Sequence, residues 1–395
     1  MLTDLDQGVC AAAGFRAAGV AAGIKRSGGL DLALVVSDLP AAAAGTFTTH
    51  RAAAAPVIVS RERVAAGSAR GIVVNSGSAN AMTGPRGRQD AETMAAEAAA
   101  QAGVDPAEML VCSTGKIGSH LPMDRVSKGI AAAAGALGSG GTNDEDAARA
   151  ILTTDTRPKR AAVSHPDGWR LGGMAKGAGM IAPDMATMLA FLTTDAVVAP
   201  DVLRAAVCRA VDRSFNLITV DGEPSTNDAV LALANGRSGL RPSPGDLAGA
   251  LEVVCGRLAE AIVADGEGAT KLVRVRVGGA RSVEEARRAA RSVADSPLVK
   301  CALYGEDANW GRVAAALAKS GAALDLDALS IAMGGVTLLD RGEAAGDEAA
   351  AEAHRGLGAR EVEIACDLGA GGAEGEILTT DLSPGYVAIN AEYEP

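Results

Sequence analysis

Short apolar runs of strand length, alternating with a stretch of helical length, constrain this chain more than any other feature. Residues 30–36, 56–60, 71–75 and 109–113 are each β-like and punctuated by Gly, Asp, Asn or Ser. Between them, residues 88–102 are rich in Ala and Glu and read as a helix. Strands alternating with helices predict an α/β fold of stacked layers. Aromatic residues make up only 2% of the chain although 48% is hydrophobic, so Ala, Val, Leu and Ile must fill the interior between closely approaching elements. At 395 residues the chain exceeds one ordinary core, which suggests about two domains or one large two-layer unit.

From Pro200 onward the helical periodicity strengthens, in residues 201–214, 246–264 and 282–294. The order Ser282-Val283-Glu284-Glu285 has the spacing of a capping box, in which hydroxyl and carboxylate each meet an N–H that the first helical turn leaves unpaired. Residues 272–277, 329–333, 362–366 and 386–389 are β-like, and the Gly/Ala/Ser-rich residues 133–143 are the best candidate for a surface loop or linker.

Charge and cysteine usage exclude several classes. Asp plus Glu number 48 against 37 Lys plus Arg, with no long basic run, so the footprint of a nucleic-acid binder is missing. Asp4 and Asp6 stand where a signal peptide carries cations, and Gly14, Arg16 and Gly19 interrupt any apolar core there. No apolar run approaches the roughly 18 residues of a membrane span. The expected location is the cytoplasm. Six cysteines are scattered with no CxxC pair or Cys/His cluster, which argues against a structural zinc site or a disulfide scaffold.

Familiar catalytic signatures are absent: no HExxH, no GxSxG and no GxxxxGK[ST]. His50, His120, His165 and His354 sit in no recognisable motif. Gly177-Ala178-Gly179-Met180-Ile181-Ala182 satisfies the dinucleotide fingerprint in its loosest form, but Pro183 follows at once and no clean strand is legible before it. On residue pattern alone, residues 176–191 are a glycine-containing loop entering a buried strand, with Thr187 a β-branched residue of that strand.

The same segment, Lys176-Gly177-Ala178-Gly179-Met180-Ile181-Ala182-Pro183-Asp184-Met185-Ala186-Thr187, closely resembles the self-cleavage motif of the ornithine acetyltransferase (glutamate N-acetyltransferase) family. Further blocks resemble that family in the same order. They are Asn75-Ser76-Gly77-Ser78-Ala79-Asn80-Ala81, Ser113-Thr114-Gly115-Lys116, Thr153-Thr154-Asp155-Thr156-Arg157-Pro158-Lys159, Thr219-Val220-Asp221-Gly222, Asp265-Gly266-Glu267-Gly268 and Asn309-Trp310-Gly311-Arg312. They span essentially the whole chain.

The resemblance implies an α/β layered helix and sheet sandwich of the ornithine acetyltransferase type, cut between Ala186 and Thr187. Residues 1–186 and 187–395 would then be α and β chains that stay intertwined and pair as α2β2. It implies Thr187 as nucleophile, Thr114 and Gly115 as the oxyanion pair, and Thr153, Lys176, Thr187, Glu267 and Asn390 as substrate contacts. The substrates it implies are N-acetylornithine and glutamate, with acetyl-CoA as a further donor in some members, and no metal or organic cofactor. The family usually closes with Thr or Ser where this chain has Pro395, which lacks both a hydroxyl and an N–H. Two rival readings remain: an N-terminal-nucleophile amidase or aminopeptidase with water as acceptor, and an uncleaved, non-catalytic paralogue.

Overall fold

The computed structural model describes residues 1–182 and 188–392. It is a mixed α/β structure of layered sheets and helices, divided into two units. The first comprises Met1–Asn216 with Glu223–Ile262, and the second comprises Leu217–Gly222 with residues 263–392.

The first unit is built on a nine-stranded sheet. Its strands are β1 (Thr3–Leu5), β2 (Phe15–Val20), β3 (Leu32–Phe47), β4 (Ser68–Ser78), β5 (Met109–Lys116), β6 (Lys159–Ser164), β7 (Arg170–Lys176), β8 (Leu189–Thr194) and β9 (Ala229–Ala234). The order across the sheet is β1-β6-β7-β8-β9-β3-β4-β5, with β2 beside the first half of β3. Among the described residues of this sheet, β4/β5 and β8/β9 pair in parallel and the other pairs are antiparallel.

Alternation along β3 shows how both faces are covered. Leu32, Leu34 and Val36 pack with Met94, Ala95 and Ala98 of helix Gly84–Ala102 and with Val126 and Ile130 of helix Met123–Gly135. Ala33 and Val35 face the other way, onto a cluster that contains Ala147 and Ala148 of the helix Gly141–Ala150. Period-two side chains apolar on both faces are what a sheet sandwiched between helices requires. The near absence of aromatics has its counterpart here: a Cβ at Gly19 of β2 would collide with the carbonyl of Asp146, so this helix and strand meet backbone to backbone.

The second unit carries a six-stranded sheet. Val273, Val275 and Val277, alternate residues of strand Leu272–Ala280, pack with Ala286, Ala289, Ala290 and Val293 of helix Val283–Ala294. The intervening Arg274 and Arg276 pair with Glu376 at 2.6 and 3.2 Å. Ser282 caps the helix as its spacing predicts, its hydroxyl accepting the Glu285 N–H at 3.2 Å. Changing Ser282 to Ala should cost about 1 kcal/mol, measurable as a lowered urea midpoint with an unchanged slope.

Four sequence readings are corrected. Residues 56–60, expected as a strand, lie in helix Ala55–Val64, where Pro56 occupies the first turn; proline suits that position and could not donate to a sheet ladder. Residues 386–389 lie in helix Pro384–Ala391, entered through Ser383, whose hydroxyl accepts the Gly385 N–H at 3.0 Å. A short apolar run does not distinguish strand from helix by itself. Residues 133–143 are largely helical, with only 136–140 between two helices. A strand, β7, does run directly into Gly177, contrary to expectation, and the next element among the described residues is β8.

Candidate active site

Near the end of the parallel pair β4/β5, Thr114 and Gly115 lie within β5 opposite Ser76 and Gly77, where the register shifts. Asn75 and Ser113 are opposite one another in register, and Asn75 Oδ1 accepts the Ser113 hydroxyl at 2.6 Å while its amide donates to Ser78 O at 2.9 Å. Asn227 reaches the same place, donating to Ser113 O at 2.8 Å and Ala79 O at 2.7 Å. Gly115 has φ +125°. A Cβ there would lie 2.5 Å from the Gly77 carbonyl carbon and 2.7 Å from Ser78 N, both backbone atoms. This position in β5 is therefore available to glycine alone.

Lys176, at the end of β7, is 3% exposed and donates to Thr153 Oγ1 at 2.8 Å and to Thr114 Oγ1 at 3.4 Å. A threonine hydroxyl that accepts from an ammonium still has its own proton to donate. Thr114 is thereby set up as a hydrogen-bond donor beside a fixed positive charge. That is an arrangement suited to an oxygen acquiring negative charge. Asp155 organises the cation: its carboxylate accepts from Lys159 Nζ at 2.6 Å, Gly177 N at 2.7 Å and Thr153 N at 3.1 Å. Burial alone would raise the Asp155 carboxyl, but Lys176 and Lys159 together with these hydrogen bonds pull it down to about 2.

In the second unit, Asn390 donates to Glu267 Oε2 at 2.8 Å and to Tyr386 O at 3.0 Å. Tyr386 in turn donates to Asp221 Oδ2 at 3.2 Å. The chain following Glu267 is anchored by Asp381, which accepts from Thr270 N at 2.8 Å and Lys271 N at 3.0 Å.

A family model described as the ArgJ family matches residues 16–395. The chain belongs to the ArgJ family. A protein of Symbiobacterium thermophilum named arginine biosynthesis bifunctional protein ArgJ is 52% identical to it over 398 residues, covering 98% of each chain. One of the same name from Mycolicibacterium paratuberculosis is 47% identical over 395 residues, covering 98% of this chain and 96% of its own. Among solved structures, ornithine acetyltransferase from Mycobacterium tuberculosis, complexed with ornithine, is 47% identical, covering 46% of this chain and 98% of its own with a TM-score of 0.45.

Of the residues singled out in this ArgJ-family sequence, Thr114, Thr153 and Lys176 meet through one ammonium, with Gly115 next in the chain, and Glu267 and Asn390 meet in a second group. Ala186, Thr187 and Pro395 lie outside the described residues.

Three charged residues of the site were not singled out. Asp155 belongs to the block at residues 153–159, for which the resemblance implies only Thr153 as a contact. Lys25 has its side chain close to Gly77 and donates to Leu30 O at 2.7 Å. Burial lowers its ammonium to about 8, Asp31 opposes this, and Lys176 adds to it. Asp228, fully buried, accepts the Met188 N–H at 2.9 Å. Its only sequence signal was a polar run, Ser225 to Asp228, entering the all-apolar strand β9.

Proposed function

We propose that this ArgJ-family enzyme of arginine biosynthesis moves the acetyl group of N-acetylornithine to glutamate through an ester on Thr187. The observation that carries the reading is the buried Lys176 ammonium joined to both Thr114 and Thr153, which supports an acyl-transfer site with a preformed donor. The enzyme first cuts its own chain. The Thr187 hydroxyl attacks the Ala186 carbonyl, the peptide becomes an ester as its nitrogen takes the proton, and water cleaves the ester. Residues 1–186 and 187–395 stay together as α and β chains, assembled as α2β2 in the cytoplasm. Among the described residues, no helix is long and apolar enough to cross a membrane.

The freed α-amine of Thr187, with an ordinary pKa of about 7.7–8.0, accepts the hydroxyl proton as oxygen attacks the acetyl carbonyl. Thr114 and Gly115 donate to the oxyanion. The amine returns the proton to departing ornithine, and the acetyl ester remains on Thr187. Glutamate's amine then attacks the ester, N-acetylglutamate leaves and the hydroxyl is restored, a ping-pong scheme. No metal or organic cofactor takes part; acetyl-CoA would serve as an alternative acetyl donor at the same threonine. Lys176 suits an α-carboxylate, and Glu267 with Asn390 suits the ammonium of ornithine.

Incubation with N-acetylornithine and glutamate tests this. Formation of ornithine and N-acetylglutamate in equal amounts is expected, whereas release of acetate without N-acetylglutamate would make the protein an amidase. Glu267→Gln should raise KM for N-acetylornithine about tenfold, the loss of one charge-assisted contact, with a smaller change in kcat. Initial rates over a substrate series check it.

A further inference from the structure

Asp228 is held from two sides at the entrance to β9. Its Oδ1 accepts the Met188 N–H at 2.9 Å, and its main-chain carbonyl accepts the Thr48 N–H at 3.0 Å. Thr48 itself donates through its hydroxyl to Ser225 O at 2.7 Å, which ties the end of β3 to the same loop. The second carboxylate oxygen, Oδ2, is buried and has no hydrogen-bond partner among the described residues. A buried carboxylate oxygen left unpaired is expensive, and in a folded protein it calls for an explanation.

Covalent geometry supplies one. The nitrogen that Asp228 holds is bonded to the carbonyl carbon of Thr187, so the Thr187 α-nitrogen is three bonds from it, roughly 3–4 Å away. We propose that Asp228 is a positioning residue for the nucleophile, its second oxygen accepting a hydrogen bond from the Thr187 α-amine in the cleaved enzyme and so directing the nitrogen lone pair at the Thr187 hydroxyl. This rests on the reading of Thr187 as the N-terminal nucleophile.

As the hydroxyl attacks, its proton passes to the amine, and the carboxylate neutralises the ammonium that forms. The proton then leaves with the departing amine, and Asp228 gains and loses nothing. The logic is that of the carboxylate behind the histidine in a Ser-His-Asp triad. The groups facing Asp228 are Lys176 from the end of β7, Thr48 from the end of β3, the Met188 N–H ahead of β8 and the Ser225 N–H of its own loop; Lys176 alone among them carries charge. Before cleavage, burial pushes the Asp228 carboxyl well above its usual range, against the Met188 and Ser225 N–H groups, Lys176 and the Thr48 hydroxyl. The ammonium created by cleavage would supply a charge that favours the ionised form.

The test uses the full-length protein as Asp228→Asn and Asp228→Glu, with Thr187→Ala in parallel. Cleaved chains are counted by denaturing mass spectrometry, and transfer is measured per cleaved chain across pH. Asp228→Asn should lose at least about 100-fold in kcat. Without the carboxylate the ammonium is less favoured, so the acidic limb of the kcat profile should move down by about one pH unit. An unchanged rate, or a fall in rate with an unmoved limb, would overturn the proposal by making Asp228 a structural residue only. Should Asp228→Asn fail to cleave, cleavage regained in Asp228→Glu supports a need for the carboxylate, and no cleavage in either overturns it. The Thr187→Ala arm separates the two levels: transfer retained there contradicts the nucleophile reading itself, while loss there beside a native-like Asp228→Asn contradicts only the role of Asp228.

Discussion

Thr187→Ala is expected to leave a single chain of 39.4 kDa and to abolish acetyl transfer. Alanine offers no hydroxyl, so neither the shift of the Ala186 peptide to an ester nor the acetyl ester of turnover can form. The loss should exceed roughly 10⁴-fold, as for removal of a nucleophile in other acyl-transfer enzymes. Stability should change little, so circular dichroism and the melting temperature should match those of the parent. Transfer at a rate within about tenfold of the parent would remove Thr187 from the chemistry.

Gly115→Ala is the second large effect. The residue has φ +125°, and an added Cβ would lie 2.5 and 2.7 Å from the backbone of Gly77 and Ser78. Neither neighbour is a flexible side chain that could swing away, so the end of β5 itself has to shift. Its displacement moves the Gly115 N–H and the Thr114 hydroxyl together. Loss of one oxyanion donor costs about 10²–10³ in kcat, and this substitution disturbs two. The expected result is a kcat lowered by about 10³ or more. Stopped-time assays of N-acetylglutamate formation check this, and a native kcat would exclude Thr114 and Gly115 as an oxyanion site.

The fold was legible where periodicity had length behind it. Helices at 88–102, 201–214, 246–264 and 282–294 stand within a few residues of their expected bounds, because each combines good helix formers with caps or a proline start. The apolar strands at 30–36, 71–75 and 109–113 were equally plain. Alanine blurred the rest. In β9, Ala229 to Ala234, alternating alanines look as helical as extended, and only the neighbouring β3 and β8 decide the matter. Pro56 and Pro384 open helices whose apolar residues resemble strands when read without the first turn.

In the site, the residues marked by the chain-long resemblance were legible as a list and not as a constellation. Nothing in spacing says that Lys176 reaches both Thr114 and Thr153, since that contact depends on β7 and β5 running within one sheet. Asp155 and Asp228 escaped notice for the same reason. A carboxylate in a polar stretch reads as solvated until its burial is known, and theirs is nearly complete.

The central claim, an acetyl ester on a threonine that self-cleavage has made N-terminal, is tested most directly by denaturing mass spectrometry after incubation with N-acetylornithine in the absence of glutamate. Two fragments are expected, the second beginning at Thr187 and carrying one acetyl group that disappears when glutamate is added. An intact chain of 39.4 kDa, or a second fragment that never gains the acetyl group, would contradict it.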